Sequence, residues 1–259
     1  MDKSRVAEEI ILKLMDFVKR YSLDSLFIVG GWCRSKIMND PKDIKDIDVA
    51  SAYPRQGMTI CGIFASEILK TTPEFYHRTG TGSIVYEDLK IEFQNASTSS
   101  YMKNEEVRKW MRLHRIIDSP LMENIYGRDF TINSIIFSLK NGEFYDLTKK
   151  AIDDIERKTI SSIIDAHLLV KYNPIVILRA IRFSVRYDFR IDSQLRKAMN
   201  QYYGLLNKTY SKERISREIE KILQTNSEKG LEKLKQYNLM SLIVPDQLRK
   251  YLKIKEKKN

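Results

Sequence analysis

The sequence predicts an α/β head over residues 1–146, followed by an all-helical second region over 147–259. Three observations carry that expectation. Short runs of alternating apolar residues recur at 26–29, 46–50, 83–86, 90–94 and 143–146, the pattern of strands. Beyond about residue 150 the apolar residues take helical spacing and glycine almost disappears. Between Phe27 and Val49 the chain reads FIVGGWCRSKIMNDPKDIKDIDV, a strand, a glycine pair, a short helix and a second strand bearing two aspartates.

At the N-terminus, Val6, Ile10, Leu14 and Phe17 form one apolar stripe, which predicts a helix packed on the sheet. Asp2, Glu8 and Glu9 count against a mitochondrial transit peptide, and no signal-peptide core is visible. After the strand at 26–29, Gly30 and Gly31 let the backbone turn sharply and approach a ligand closely, and the next helix offers unpaired N–H groups to an anion. Arg34, one turn into that helix, can reach the same anion. In the strand that follows, Asp46 and Asp48 share a face, about 6–7 Å apart along the backbone, while Ile47 points into a core. Two carboxylates on one face repel unless a cation lies between them, and beside nucleotide phosphates that cation is usually Mg²⁺. A glycine pair alone is ordinarily a turn, and a lone Asp-x-Asp ordinarily surface charge. Their coincidence in one strand–turn–helix–strand frame, 15 residues from Gly31 to Asp46, predicts a phosphate cradle beside a metal site.

Later elements are less specific. In the strand KIEFQ, Glu92 faces away from Ile91 and Phe93; it is a third acidic group if that face also bears Asp46 and Asp48, and an exposed surface glutamate otherwise. GRDFTINSI reads as a helix start, with Asp129 and Asn133 sharing a face and Arg128 beside them. Arg179, Arg182 and Arg186 follow i, i+3, i+7 spacing next to the apolar stripe Leu178, Ile181 and Val185; a solvated basic face ordinarily explains such a ladder. In ERISREIEKIL, Arg214 with Glu218 and Arg217 with Lys221 sit one turn apart, the pattern of a structural brace. The tail RKYLKIKEKKN, with Arg249, Lys250, Lys253 and Lys255, is a charge run that disorder would explain.

Composition agrees with this organisation. At 259 residues and 42% hydrophobic, the chain can bury a sizeable core. A net charge of +11 and a pI near 9.4 imply a polyanionic partner, nucleic acid rather than membrane, because no apolar run approaches transmembrane length. An AT-rich genome would also enrich lysine. Cys33 and Cys61 are too few for a disulfide framework and suggest a reducing compartment, cytoplasmic or otherwise intracellular. His77, His114 and His167 lack metal-ligand spacing.

At the residue level, VGGWCRSKIMNDPKDIKDIDVA resembles the first motif, GGxVRD…DxD, of the class II CCA-adding tRNA nucleotidyltransferases and bacterial poly(A) polymerases, in a form nearest the eukaryotic type. Four more segments follow in family order: GRDFTINSIIF, FYDLTKKAIDDIERKTI, NPIVILRAIRFSVRYDFRID and ERISREIEKIL. The resemblance runs from about residue 25 to about 245. It implies an α/β, polymerase-beta-like nucleotidyltransferase head with a mixed sheet, followed by an all-helical neck, and template-independent addition of C or A nucleotides to the 3′ end of tRNA from CTP and ATP. On that basis Asp46 and Asp48 would bind two Mg²⁺ ions with Glu92 in support, and Gly30, Gly31, Arg34 and Arg128 would hold the triphosphate. Asp129 and Asn133 would hold the ribose or brace the site. Asn173, Arg179 and Arg182 would contact the nucleotide, and Arg186 with the basic tail would contact RNA.

The departures from the family pattern are as informative. Ser35 stands where the first motif has Asp, Cys33 where it has Val, and Gly127 where the second motif has its first Arg. Residues 96–100 replace a stretch that usually carries an Arg and an acid. The Glu-Asp-x-x-Arg that pairs with the base edge reads Tyr172-Asn173-Pro174-Ile175-Val176, in which Val176 offers no polar group and Asn173 carries both a donor and an acceptor. The resemblance therefore implies retained metal and phosphate chemistry with altered base selection. The chain is short for the family, so a CC-only, A-only or poly(A)-adding role, or a protein partner or homodimer completing the tRNA grip, is compatible with it. A catalytically impaired RNA-binding homologue is a second reading, and a transferase acting on a small molecule or protein a third.

Overall fold

The computed structural model describes residues 3–40, 44–53, 56–95, 99–116 and 119–256. Two compact units divide the chain, Met1–Ile155 and Glu156–Asn259.

In the first unit, α1 (Lys3–Tyr21) precedes seven strands: β1 (Leu26–Val29), β2 (Asp46–Ser51), β3 (Glu74–Tyr76), β4 (Thr81–Tyr86), β5 (Leu89–Asn95), β6 (Ile136–Ser138) and β7 (Glu143–Tyr145). Helices α2 (Gly31–Ile37), α3 (Gly57–Ile63), α4 (Glu105–Leu113), α5 (Pro120–Tyr126) and α6 (Ala151–Glu156) connect or follow them. The sheet order is β3-β4-β5-β2-β1-β6-β7. Only β2 and β5 run parallel, so the sheet is mixed, as expected. The apolar stripe of α1 does what its spacing predicts: Val6, Ile10, Leu14 and Phe17 join Ile28, Ile47, Val49, Ile84, Ile91 and Phe93 in one core. Phe17 meets Phe64 edge-on, with ring centroids 5.3 Å apart.

The second unit is helical, with α7 (Ala166–Tyr172), α8 (Val176–Tyr187), α9 (Ser193–Tyr202), α10 (Leu206–Thr209), α11 (Lys212–Thr225), α12 (Ser227–Gln236) and α13 (Pro245–Glu256). Asp165 and Asp192 cap α7 and α9 by accepting backbone N–H bonds, which explains where those helices begin. The apolar face of α8, including Ile177, Ala180 and Ile181, is wholly buried and packs against α11 and α12.

Three expectations need correction. GRDFTINSI does not form a helix: α5 ends at Tyr126, Phe130 is extended, and only a 3-10 turn spans Thr131–Asn133 before β6. The Asp129 side chain explains this, because its Oδ1 accepts the Phe130 N–H at 2.9 Å and Asn133 Nδ2 at 2.8 Å, bonds that compete with a helical backbone. The β-branched run from Ile135 then suits a strand, although β6 was not foreseen. The helical second region also carries a two-residue parallel ladder of β8 (Thr159–Ile160) and β9 (Arg190–Ile191), too short to leave a periodic signal. Finally, the charged tail is helical through Glu256, because Tyr251 is buried and bonds Glu220 at 2.6 Å.

Candidate active site

Asp46 and Asp48 stand half-buried on one face of β2, while Ile47 between them is fully enclosed in the core. Strand β1 delivers the glycine pair beside them, with Val29 in register with Asp48. Gly30 has φ +79°, and a Cβ there would lie 2.9 Å from Asp48 Oδ2 and 3.4 Å from Arg128 Nη1. Only glycine fits this close approach. A Cβ on Gly31 would stand 3.8 Å from Asp46 Oδ1, an ordinary contact.

Burial, then the neighbouring Asp46 charge, pushes the Asp48 carboxyl up to about 6, and Arg128 partly offsets this. Asp46 is raised as well, by burial first and by the Glu92 charge, with Lys90 opposing. Such a pair of crowded oxygen donors is suited to a hard divalent cation, whose charge would hold both carboxylates ionised. Glu92 lies in register with Asp48 across the β2–β5 ladder, but its carboxylate pairs with Lys90. Among the described residues no three His, Cys, Asp or Glu side chains gather into a metal-holding group.

Around this pair the chain builds a buried polar brace. Arg34 is only 6% exposed and donates through Nη1 to Asn133 Oδ1, while Asn133 Nδ2 donates to Asp129. Both ends of the Asn133 amide are thus engaged inside the protein. Arg128 is half-buried, and its Nη2 donates to Asn124 Oδ1 at 3.1 Å. Its backbone segment is pinned from a distant stretch: the Tyr101 hydroxyl lies 2.9 Å from the Arg128 carbonyl, and Ser99 Oγ donates to the Gly127 carbonyl at 2.6 Å. Ser99 and Tyr101 stand 28 and 27 residues from the carbonyls they hold, a separation that no periodicity links, whereas Asn124 is a short-range partner four residues before Arg128.

The departures from the family motifs find local accommodation. A Cβ at Gly127 would come within 2.7 Å of the Glu123 carbonyl and 3.4 Å of Ser99 Oγ, so the tight turn suits glycine. Cys33 is fully buried and its Sγ donates to the Ile28 carbonyl at 3.2 Å; burial pushes its thiol far up, making it an inert apolar filler. Ser35 donates to the Asp40 carbonyl and closes the end of α2. Ala96, Ser97 and Thr98 of the altered stretch lie outside the described residues.

The residues expected to select the nucleotide belong to the second unit. Asn173 ends α7 and its Oδ1 accepts from the Tyr210 hydroxyl at 2.8 Å, while Val176 is fully buried. Arg179, Arg182 and Arg186 are all half-buried on α8. Arg182 pairs with Glu218 at 3.5 Å, its guanidinium over the Phe183 ring, and Arg186 lies over Tyr187. Glu218 also takes Lys221 at 2.8 Å, so the expected Arg214–Glu218 pairing gives way to these partners; Arg214 instead stacks over Tyr210, 4.4 Å from the ring centre. On α13, Arg249 is exposed and Lys250 pairs with Glu220 at 2.6 Å; the side chains of Lys253 and Lys255 lie outside the described residues.

Comparison with known proteins gives concordant matches. Residues 26–161 match the family described as poly A polymerase head domain, and residues 188–250 match that described as the probable RNA and SrmB-binding site of polymerase A. The chain is 25% identical over 251 residues to the tRNA nucleotidyltransferase cca2 of Schizosaccharomyces pombe, covering 86% of this chain and 49% of that protein. It is 30% identical over 210 residues to the CCA-adding enzyme of Enterococcus faecalis, covering 79% and 47%. The chain therefore spans about half the length of these relatives. In fold it resembles a solved tRNA-processing enzyme in its apo form, with TM-score 0.73, 23% identity and coverage of 92% and 58%. It also resembles the Thermotoga maritima CCA-adding enzyme complexed with tRNA, with TM-score 0.71, 23% identity and coverage of 90% and 51%.

Proposed function

This chain belongs to the poly A polymerase head-domain family, matched over residues 26–161, and from that premise we propose that it is a nucleotidyltransferase extending the 3′ end of tRNA with C or A nucleotides. The observation that carries the proposal is the Asp46–Asp48 pair set against Gly30 and Arg128: two crowded carboxylates beside a backbone with no room for a side chain. In the reaction, the 3′-hydroxyl of the RNA attacks the α-phosphate of a nucleoside triphosphate and pyrophosphate leaves. Asp46 and Asp48 would hold Mg²⁺, which when bound lowers the pKa of the attacking hydroxyl and neutralises the leaving phosphates. Glu92, tied to Lys90, would support the pair by its charge from the neighbouring strand. Gly30 and Gly31 would admit the triphosphate close to the backbone, and Arg128 would contact it, its fork matching two phosphate oxygens. The Arg34–Asn133–Asp129 chain would fix the geometry from behind.

In the second unit, Asn173 and Arg179 would contact the nucleotide, while the ion pair to Glu218 makes Arg182 a brace of that contact. Arg186 and Arg249 would meet RNA phosphates. The tRNA substrate is supported by the names of the relatives, and CTP and ATP as donors by fold neighbours solved with CTP and with ATP. Among the described residues no helix is long and apolar enough to cross a membrane.

The test is incubation of the purified protein with Mg²⁺, each labelled triphosphate in turn, and a tRNA lacking its terminal CCA. Labelled tRNA is expected, and it should vanish in Asp46→Ala. An impaired RNA-binding homologue is favoured by one observation, the loss of the acid and arginine at Asn173 and Val176; it would bind the tRNA without labelling it.

A further inference from the structure

From Ser100 to Ile116 the chain reads SYMKNEEVRKWMRLHRI, five cations against two acids, and most of it is the helix α4. The stretch lies in the first unit, outside residues 188–250 that match the RNA-binding description. It is firmly held. Buried Tyr101 roots it, its hydroxyl 3.1 and 2.9 Å from the Tyr126 and Arg128 carbonyls. Asn104 caps the start of α4 by accepting the Glu106 N–H at 2.9 Å. At the far end the Ile116 N–H donates to the Met111 carbonyl and the Arg115 N–H to the Arg112 carbonyl, both at 3.1 Å, with Arg115 in the left-handed region at φ 52°.

A helix fixed at both ends still leaves much of its surface open. Val107 is buried, but Trp110 and Met111 are only half-buried and Leu113 is 71% exposed. The exposed His114 ring lies over the Trp110 ring, centroids 4.1 Å apart and 24° from parallel. His114 Nδ1 stands 2.8 Å from the Trp110 carbonyl, an acceptor, so that nitrogen carries a proton and holds the ring in place. Beside this ring pair Arg108, Lys109, Arg112 and Arg115 are exposed, Arg112 paired with Glu105. Solubility would account for the cations alone. It does not account for stacked rings and a leucine left in water beside them, a pattern that marks a contact surface.

We infer that α4 is an RNA-binding surface of the first unit, on which an unpaired base stacks against the Trp110–His114 ring pair while Arg108, Lys109 and Arg115 meet the flanking phosphates. Charge complementarity selects a polyanion, and the paired rings select one that carries bases. Every base has a π-face, so such a surface grips RNA without reading its sequence. Because Tyr101 ties the root of α4 to the Arg128 carbonyl, the grip is built onto the segment that bears a residue of the proposed active site. The inference takes only the choice of RNA from the proposed function.

The experiment follows tryptophan emission as the full chain is titrated with a tRNA lacking its CCA end, and with heparin, a polyanion without bases. The other tryptophan, Trp32, is buried, so a change in emission reports Trp110. The tRNA should quench the emission and heparin should leave it; the quench should be lost in Trp110→Phe. Filter binding should show about tenfold weaker affinity in Trp110→Leu. In Arg108→Gln, Lys109→Gln, two exposed positions whose change leaves the core alone, the slope of log affinity against log salt should fall by about 1.4. Equal quenching by heparin, no quenching in a tRNA complex that filter binding detects, or an unchanged slope would overturn the inference. Emission that shifts with protein concentration in the absence of RNA would also overturn it, assigning the surface to a second copy of the chain. A protein that quenches as expected yet labels no tRNA would overturn the transferase reading and leave this surface in place.

Discussion

The carboxylate of Asp48 reaches to 2.9 Å from the point where a Cβ would stand on Gly30. Gly30 directly follows β1 and Asp48 lies on the adjacent β2, so the absent side chain of one is the space occupied by the other. Gly30 also holds φ at +79°, a conformation in which an L side chain is strained. Gly30→Ala is therefore expected to displace the carboxylate and lower nucleotide addition by about 100-fold, the cost of a misplacement near 1 Å. Gly31→Ala meets nothing nearer than 3.8 Å and should leave the melting temperature unchanged. Thermal unfolding of both variants, with activity, checks the contrast; equal melting temperatures for the two would contradict it.

Asp48 makes opposite contributions to stability and to activity. Its folded-state pKa of about 6 lies above the 3.8 of an ordinary aspartate, so the native state holds the proton more tightly than the unfolded chain. In metal-free protein the stability due to this group is thus fully present below about pH 4 and lost as the pH rises through 6, up to about 3 kcal/mol. Asp48→Asn should abolish labelling yet raise metal-free stability at pH 8, with little gain at pH 4. Urea titrations at the two pH values test this, and a destabilised Asp48→Asn at pH 8 would refute it.

The two arginines near the glycine pair should separate by assay. Arg128→Ala is expected to weaken CTP and ATP alike, because a phosphate contact is blind to the base. Arg34→Ala removes the partner of the buried Asn133 carbonyl and should cost about 1–3 kcal/mol of stability in addition to activity. Equilibrium nucleotide binding with denaturant melts distinguishes them. Loss of only one nucleotide in Arg128→Ala would show that this arginine reads the base.

On α13, Arg249 is exposed while Lys250 is already paired with Glu220. Each phosphate neutralised contributes about 0.9 to the slope of log affinity against log salt. Arg249→Ala should lower that slope for tRNA by about one, and Lys250→Ala by less. Filter binding at several salt concentrations measures both, and an unchanged slope in Arg249→Ala would remove this helix from the RNA contact.

Legible in the sequence were the α/β character of the head, the packing of the first helix and the position of Asp46 and Asp48 on one strand face. These depend on local periodicity, which alternation in a strand and the 3.6-residue turn of a helix impose on neighbouring residues. Reading GRDFTINSI as a helix failed where a side chain outcompeted the backbone: Asp129 captures the Phe130 N–H and the Asn133 amide, and the β-branched residues after them fall into β6. Tertiary structure alone decided the partners reached across long stretches of chain. Tyr101 under Arg128, Tyr210 on Asn173, Glu220 under Lys250 and Glu218 on Arg182 rather than Arg214 leave no periodic trace. Hydrogen bonds and ion pairs are satisfied by proximity in space, and proximity between distant segments is created only when the core closes.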